Sequence, residues 1–141
     1  MTVQTTAIWL TEHDYRRLRE LVPMLERRAT ALDSGVDTLE ELLDVAQIVQ
    51  PDRVPRHVVT MNSTVRFEDV VTREQRTVTI AYPNAADPSQ GRISVLSPVG
   101  MALIGLGEGQ EADLPLPHGR SSRIRIVEVL YQPEAHGEHA L

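Results

Sequence analysis

Acidic residues cluster between positions 33 and 44 of the chain, and their spacing would suit a hard metal cation. Asp37 and Glu41 are four residues apart, which places both carboxylates on one face of a helix. Two carboxylates held in this way can share a cation such as Mg²⁺ through their oxygen atoms. Acids in the first turns of a helix also stabilise its positive dipole end, which is the structural alternative. The acids of this segment are Asp33, Asp37, Glu40, Glu41 and Asp44.

Other residue types exclude several kinds of chemistry. The 141-residue chain contains no cysteine and no lysine, so all 14 of its cationic side chains are arginines. This composition excludes disulfides, thiolate zinc sites, thiol catalysis, Walker phosphate loops and Schiff-base chemistry. The five histidines lack metal-ligand spacing. We therefore predict no catalytic residue, no metal site and no cofactor.

Charge and hydropathy limit the partners of the chain. A net charge of −6 disfavours a general nucleic-acid binder, which needs a basic face. No apolar run approaches the roughly 20 residues that cross a bilayer, and no signal segment is readable. We expect a cytoplasmic monomer without membrane contact. A basic face on the first predicted helix either pairs with the acidic segment or contacts a partner or nucleic acid. Its arginines are Arg16, Arg17, Arg19, Arg27 and Arg28.

Two helices are predicted ahead of position 50. Apolar residues recur at steps of three and four over residues 15–32 and again over residues 39–49, as in a helical seam. Thr11 and Asp14 resemble a capping box at the start of the first helix, and Pro23 predicts a kink or a break within it. Asp37 is the expected cap of the second helix and Pro51 its stop. A short turn between them predicts an antiparallel helical hairpin.

Beyond a proline-rich linker the apolar period changes to two, which is typical of strands. We predict strands at residues 57–61, 64–68, 75–81, 91–96, 111–114 and 122–131. The fold class is therefore α+β. The expected organisation is a helical hairpin at 1–50, a linker at 51–56, a β-rich domain at 57–134 and a polar tail at 135–141.

A capped helix is predicted in the middle of the β-rich half. Ser97 can accept a hydrogen bond from a free backbone N–H, and Pro98 suits the first helical position. Gly107 is the expected left-handed stop. The run from Ser97 to Leu103 resembles the Ser-Pro-x-Gly-x-Ala-Leu signature of the Gre transcript-cleavage factors. The phrases at residues 58–63, 82–83 and 131–135 resemble the branch known as regulators of nucleoside diphosphate kinase.

This resemblance covers residues 57–132 and implies an FKBP-like antiparallel sheet with one short helix. It also implies docking on the rim of the secondary channel of bacterial RNA polymerase, with indirect nucleic-acid contact left open. The implied contact residues are Ser97, Pro98, Val99, Gly100 and Met101. The family's catalytic tip motif does not match the acids at 33–41, so the resemblance assigns them no catalytic role.

The resemblance favours a regulator that occupies the Gre site without stimulating transcript cleavage. A hairpin of this length is too short to reach the polymerase active centre, because 21 residues span about 30 Å. Two alternatives remain open at this point. One is an interaction protein that regulates nucleoside diphosphate kinase, and the other is a peptidyl-prolyl isomerase, which would need an aromatic-lined pocket.

Overall fold

The computed structural model describes residues 8–28 and 35–137. This part of the chain combines helices and strands, so the predicted α+β class is confirmed. The helices are α1 (Glu12–Arg28), α2 (Gly35–Val45) and α3 (Pro98–Leu103). The strands are β1 (Trp9–Thr11), β2 (Gln47–Val49), β3 (Thr64–Asp69), β4 (Gln75–Ala81), β5 (Arg92–Ser94), β6 (Glu111–Pro115) and β7 (Ser121–Tyr131).

Five strands form one sheet in the order β5-β4-β3-β7-β6. β4 and β5 are parallel, and the other neighbouring pairs are antiparallel. Alternate residues such as Val65 and Phe67 on β3 and Ile124 and Ile126 on β7 are buried, as a period of two requires. The predicted strands that begin at 64, 75, 91, 111 and 122 all lie within two residues of the observed bounds.

The predicted strand at 57–61 is wrong. Val58 forms only an isolated bridge to Gly107 in this segment. Val59 exchanges two backbone hydrogen bonds with the segment after α3, donating to Leu106 (2.8 Å) and accepting from Gly105 (2.9 Å). The pairing stops there, because the Thr60 N–H donates to the Ser63 hydroxyl (3.0 Å) and the Met61 N–H donates to the Asp14 carboxylate (3.1 Å). The segment therefore forms a hydrogen-bonded loop instead of a ladder.

The predicted end of the second helix and its predicted cap are also wrong. α2 begins at Gly35, so Asp37 lies inside the helix, and it ends at Val45. Residues Gln47–Val49 pair in parallel with Trp9–Thr11 as a separate two-stranded sheet. β-branched Ile48 and Val49 suit a strand, and the backbone of β1 offers them hydrogen-bond partners. The Gln47 N–H donates to the Ile8 carbonyl at 2.7 Å.

The start of α1 supports the capping prediction in part. The Thr11 hydroxyl accepts the Asp14 N–H at 3.1 Å, which satisfies one of the free donors of the first turn. The Asp14 carboxylate points into the body of the protein and accepts the Met61 N–H. Pro23 lies inside α1, and the helix continues past it to Arg28, so the proline does not split the helix.

One hydrophobic core joins the two longer helices to the sheet. Leu10, Leu18 and Leu39 are fully buried and belong to the same cluster as Val65 and Ile80. A core of this kind fixes the helices by apolar burial, which is the main stabilising term in folding. None of the helices described at 8–28 and 35–137 is long and apolar enough to span a membrane.

Proline begins each of the short 3₁₀ turns that connect these elements. The missing N–H of proline costs nothing at this position, and its fixed φ suits the turn. The turns are Pro51–Arg53, Pro83–Ala85, Pro88–Gln90, Pro117–Gly119 and Pro133–His136.

Candidate functional site

The start of α3 is fixed by a small hydrogen-bond network centred on Ser97. The Ser97 hydroxyl donates to the Ser94 carbonyl (2.7 Å) and accepts the Gly100 N–H (3.1 Å). Pro98 occupies the first helical position, as predicted. Because both hydrogen-bonding functions of the Ser97 hydroxyl are used inside the turn, this side chain holds the helix start in place.

Gly100 allows α3 to lie directly against the strand before it. A Cβ at this position would lie 2.3 Å from the Ser94 carbonyl oxygen and 2.8 Å from the Val95 Cα. Both neighbours are backbone atoms that cannot move aside like a side-chain end. Glycine is therefore required for this close approach, and Gly100 has a structural role in the turn.

The predicted left-handed stop of α3 is displaced by two residues. Gly105 has a φ of +82°, whereas Gly107 has no positive φ. Gly107 instead lies close to the His57 ring, since a Cβ there would be 2.7 Å from Cδ2 of His57. Its N–H donates to the Gln110 side chain at 2.6 Å.

The five residues predicted to contact a partner differ in exposure. Pro98 is exposed, whereas Ser97, Val99 and Met101 are half-buried and Gly100 is buried. Val99 and Met101 pack against the core, so each presents only part of its side chain. Pro98 is therefore the most exposed of these five residues.

A surface cleft of roughly 350 Å³ lies beside Met101, and its walls combine apolar and charged groups. Arg123 forms ion pairs with Glu111 (2.6 Å) and Asp113 (2.9 Å) along one wall. The cleft thus extends the surface of α3 towards the edge strand β6. Its lining residues are Ile8, Met101, Ala102, Leu106, Glu111, Ala112, Asp113 and Arg123.

Three of the four acids predicted for the hairpin tip lie on α2, the second predicted helix. Asp33 lies outside the described residues, and Asp37 lies in the first turn of α2. Glu40 and Glu41 follow on the same helix, where Glu41 is exposed and Glu40 half-buried. No group of three or more metal-ligating side chains is found within residues 8–28 and 35–137.

The arginines of α1 interact with several neighbours. Arg16 pairs with Glu12 one turn away (2.7 Å). Arg19 donates to the Tyr15 hydroxyl and to the carboxylate of Asp44 on α2 (3.3 Å). The predicted pairing between the basic face and the acidic helix is therefore present at Arg19. These pairs are exposed and contribute little to stability.

A buried polar cluster at the junction of α1 and the sheet was missed by the sequence reasoning. Asp14 is 2% exposed and accepts hydrogen bonds from the Met61 N–H (3.1 Å) and the Tyr82 hydroxyl (3.3 Å). Nearby, Thr60 donates to Glu134 at 2.6 Å. Burial, and then the charge of Glu134, raise the pKa of Asp14 to about 7.

Tyr82 connects this cluster to the surface. The Arg17 guanidinium lies 3.8 Å from the centre of the Tyr82 ring, in the geometry of a cation–π contact. Burial and the nearby Asp14 raise the pKa of Tyr82, so its hydroxyl stays protonated and donates. The phrases at residues 58–63, 82–83 and 131–135 supply Thr60, Met61, Tyr82 and Glu134, whereas Asp14 lies outside them.

A second cleft, of roughly 450 Å³, lies between α1 and the turn after β4. Among the described residues that line this cleft, one is aromatic, Tyr82, and two are charged, Arg17 and Glu20. An isomerase would require an aromatic-lined apolar pocket, so this cleft offers that alternative no support.

The chain is similar to known transcription factors. A family model described as "Transcription elongation factor, GreA/GreB, C-term" matches residues 54–131. The regulator of nucleoside diphosphate kinase of Escherichia coli (strain K12) is 40% identical over 118 residues, which cover 84% of this chain and 87% of that protein.

Two further relatives support the same grouping. The transcription elongation factor GreA of Desulfovibrio desulfuricans is 40% identical over 95 residues, which cover 67% of this chain and 58% of that protein. A solved structure from Nitrosomonas europaea, described as a prokaryotic transcription elongation factor GreA/GreB, is 42% identical with a TM-score of 0.71. That likeness covers 90% of this chain and 100% of that one.

Proposed function

Because the chain belongs to the GreA/GreB family of transcription elongation factors, we propose that it regulates transcription by binding bacterial RNA polymerase at the secondary-channel rim. The observation that carries the proposal is the family match over residues 54–131, which includes the whole Ser97–Met101 turn. The chain would occupy the Gre site without stimulating transcript cleavage, and so compete with Gre factors.

The geometry of α3 supports this turn as the contact surface. Pro98 is exposed at the helix start, while Ser97 and Gly100 hold the turn against Ser94. A pre-ordered surface loses little conformational entropy on binding, which favours affinity. The partner-binding residues that we propose are Ser97, Pro98, Val99, Gly100 and Met101, with direct contact centred on Pro98.

The length of the helical arm supports a regulator that lacks cleavage chemistry. α1 has 17 residues, which correspond to about 26 Å of helix. We propose that residues 1–50 form an N-terminal unit in which α1 and α2 make a helical hairpin, and that its tip acids stabilise α2 and bind no catalytic metal. We also propose that residues 57–134 form an FKBP-like domain, with a linker at 51–56 and a polar tail at 135–141.

A competition assay on backtracked elongation complexes tests this function. We expect the purified chain alone to yield no shortened RNA. Added together with a Gre factor, it should lower the rate of Gre-stimulated cleavage in proportion to its concentration, because both proteins would use one site. Shortened RNA from the chain alone, or an unchanged Gre rate at saturating chain, would contradict the proposal.

A second candidate function rests on the name of one relative. The Escherichia coli protein that is 40% identical is described as a regulator of nucleoside diphosphate kinase. This chain would then act by binding that kinase or by altering its amount. Affinity purification of the chain from cells distinguishes the two candidates, because one predicts polymerase subunits and the other predicts the kinase.

A further inference from the structure

Asp14 and Glu134 bring two carboxyl groups into the buried junction between α1 and the sheet. Asp14 is 2% exposed and Glu134 is 9% exposed. Asp14 belongs to the first turn of α1 and Glu134 to the Pro133–His136 turn, so they come from distant parts of the chain. Burial and a like charge both disfavour an ionised carboxylate. The charge on this pair therefore affects the stability of the packing between α1 and the sheet.

Asp14 also makes direct connections from α1 to two other segments. One carboxylate oxygen accepts the Met61 N–H, and the other accepts the Tyr82 hydroxyl, which lies just after β4. The backbone N–H of Asp14 is itself held by Thr11 at the start of the helix. A single side chain thus joins the first turn of α1 to the loop before β3 and to the end of β4.

The groups around Asp14 act on its ionisation in opposite directions. Burial and the charge of Glu134 raise its pKa to about 7, while the hydrogen bonds from Met61, Tyr82 and Thr11 lower it. The Arg17 guanidinium lies over the Tyr82 ring. Thr60 donates to Glu134 and holds it in place.

We propose that Asp14 is a proton-controlled latch, which holds α1 on the sheet more firmly when its carboxyl group is protonated than when it is ionised. The protonated group can still accept the Met61 N–H, and its own O–H can donate to the Tyr82 oxygen. The latch concerns the free chain and needs no partner. It therefore goes beyond the proposed function, and its failure would leave that proposal intact.

The direction of the pH effect follows from linkage. The pKa of Asp14 is 3.8 when the side chain is exposed and about 7 when α1 is packed on the sheet, which is called the seated state here. Asp14 therefore binds a proton more tightly in the seated state. Stability of the seated state is then greatest below pH 4, falls as the pH rises from 4 to 7, and is level above that. The equilibrium for releasing α1 should increase on the order of a hundredfold between pH 5 and pH 8.

Hydrogen exchange at the Met61 amide reports this opening directly, since its N–H donates to Asp14. We expect the protection factor of this amide to fall on the order of a hundredfold from pH 5 to pH 8. In Asp14→Asn the protection factor should be independent of pH. The asparagine can accept from Met61 with its oxygen and donate to Tyr82 with its nitrogen.

The matched control is Asp52→Asn, because Asp52 is an exposed carboxylate in the Pro51–Arg53 turn, which belongs to neither α1 nor the sheet. It should keep the wild-type pH dependence, because it leaves Asp14 and its partners unchanged. Glu134→Gln keeps an acceptor for Thr60 and should reduce the dependence by removing the like charge. An equal pH dependence in the wild type and Asp14→Asn would overturn the proposal.

A direct titration covers the case in which Asp14→Asn does not fold. The side-chain carboxyl carbon of Asp14 in the wild-type chain can be followed by NMR as the pH is changed. A midpoint near pH 7 supports the latch. A midpoint near 4, the value of an exposed aspartate, would overturn it.

Discussion

Gly100 lies where any side chain would meet the backbone of the strand before α3. Its absent Cβ would lie 2.3 Å from the Ser94 carbonyl oxygen. We expect Gly100→Ala to lower the free energy of unfolding by about 1–3 kcal/mol, since an added methyl group must displace packed atoms. Denaturant-induced unfolding of the purified variant measures this loss.

Gly109→Ala is the control for this substitution. Gly109 has a φ of +85° and no neighbouring atom within 4 Å of a built Cβ, so only backbone strain of about 1–2 kcal/mol is expected. If the Gly100→Ala variant had the same free energy of unfolding as the wild type, the close approach of α3 to Ser94 would be contradicted.

The sequence predicts single residues well where their role is local. Ser97 and Pro98 were identified as a helix cap and first helical residue, because both roles depend on neighbouring positions only. The burial of Asp14 could not be predicted, since its partners Met61 and Tyr82 are distant in sequence. The true helix stop, Gly105, was missed because more than one glycine follows α3.

α1 and α2 are held together by apolar side chains that both helices place in the core. Leu39 on α2 is fully buried in the core cluster that also contains Leu18 on α1. We expect Leu39→Ala to lower the free energy of unfolding by about 2–5 kcal/mol, because it removes buried methyl groups and leaves a cavity. Urea denaturation followed by the fluorescence of Trp9 measures the change.

Val45→Ala serves as the comparison, because Val45 ends the same helix with 65% of its surface exposed. Its substitution should change the free energy of unfolding by less than about 0.5 kcal/mol. Similar losses in the two variants would show that α2 does not pack as described.

Elements with a clear period were predicted more accurately than short ones. β4 was predicted over its observed range of Gln75–Ala81, since alternation and flanking turns define it. β1 and β2 have three residues each, and they pair with each other although α1 and α2 lie between them in the sequence. Three residues cannot display a period, and the apolar residues of β2 continued the helical spacing of α2.

At the scale of the whole molecule, the helices and the sheet share one core. Leu10 and Leu18 from the N-terminal part and Ile80 and Ile126 from the sheet belong to a single cluster. The orientation of α1 is therefore set both by apolar packing and by Asp14. The two longer helices and α3 therefore contribute to the same hydrophobic core as the sheet.

The proposed binding of RNA polymerase through the turn at Pro98 is tested most directly by the affinity of a Pro98→Arg variant for the purified polymerase. Val71→Arg is the control, because Val71 is 84% exposed in the turn between β3 and β4, at the opposite end of β4 from Ala81, which pairs with Ser94.

Both variants add one arginine at an exposed position. We predict that Pro98→Arg weakens polymerase binding about tenfold or more, a change of about 1.4 kcal/mol. Val71→Arg should bind like the wild type. Equal affinity of a folded Pro98→Arg variant and the wild type would contradict the claim.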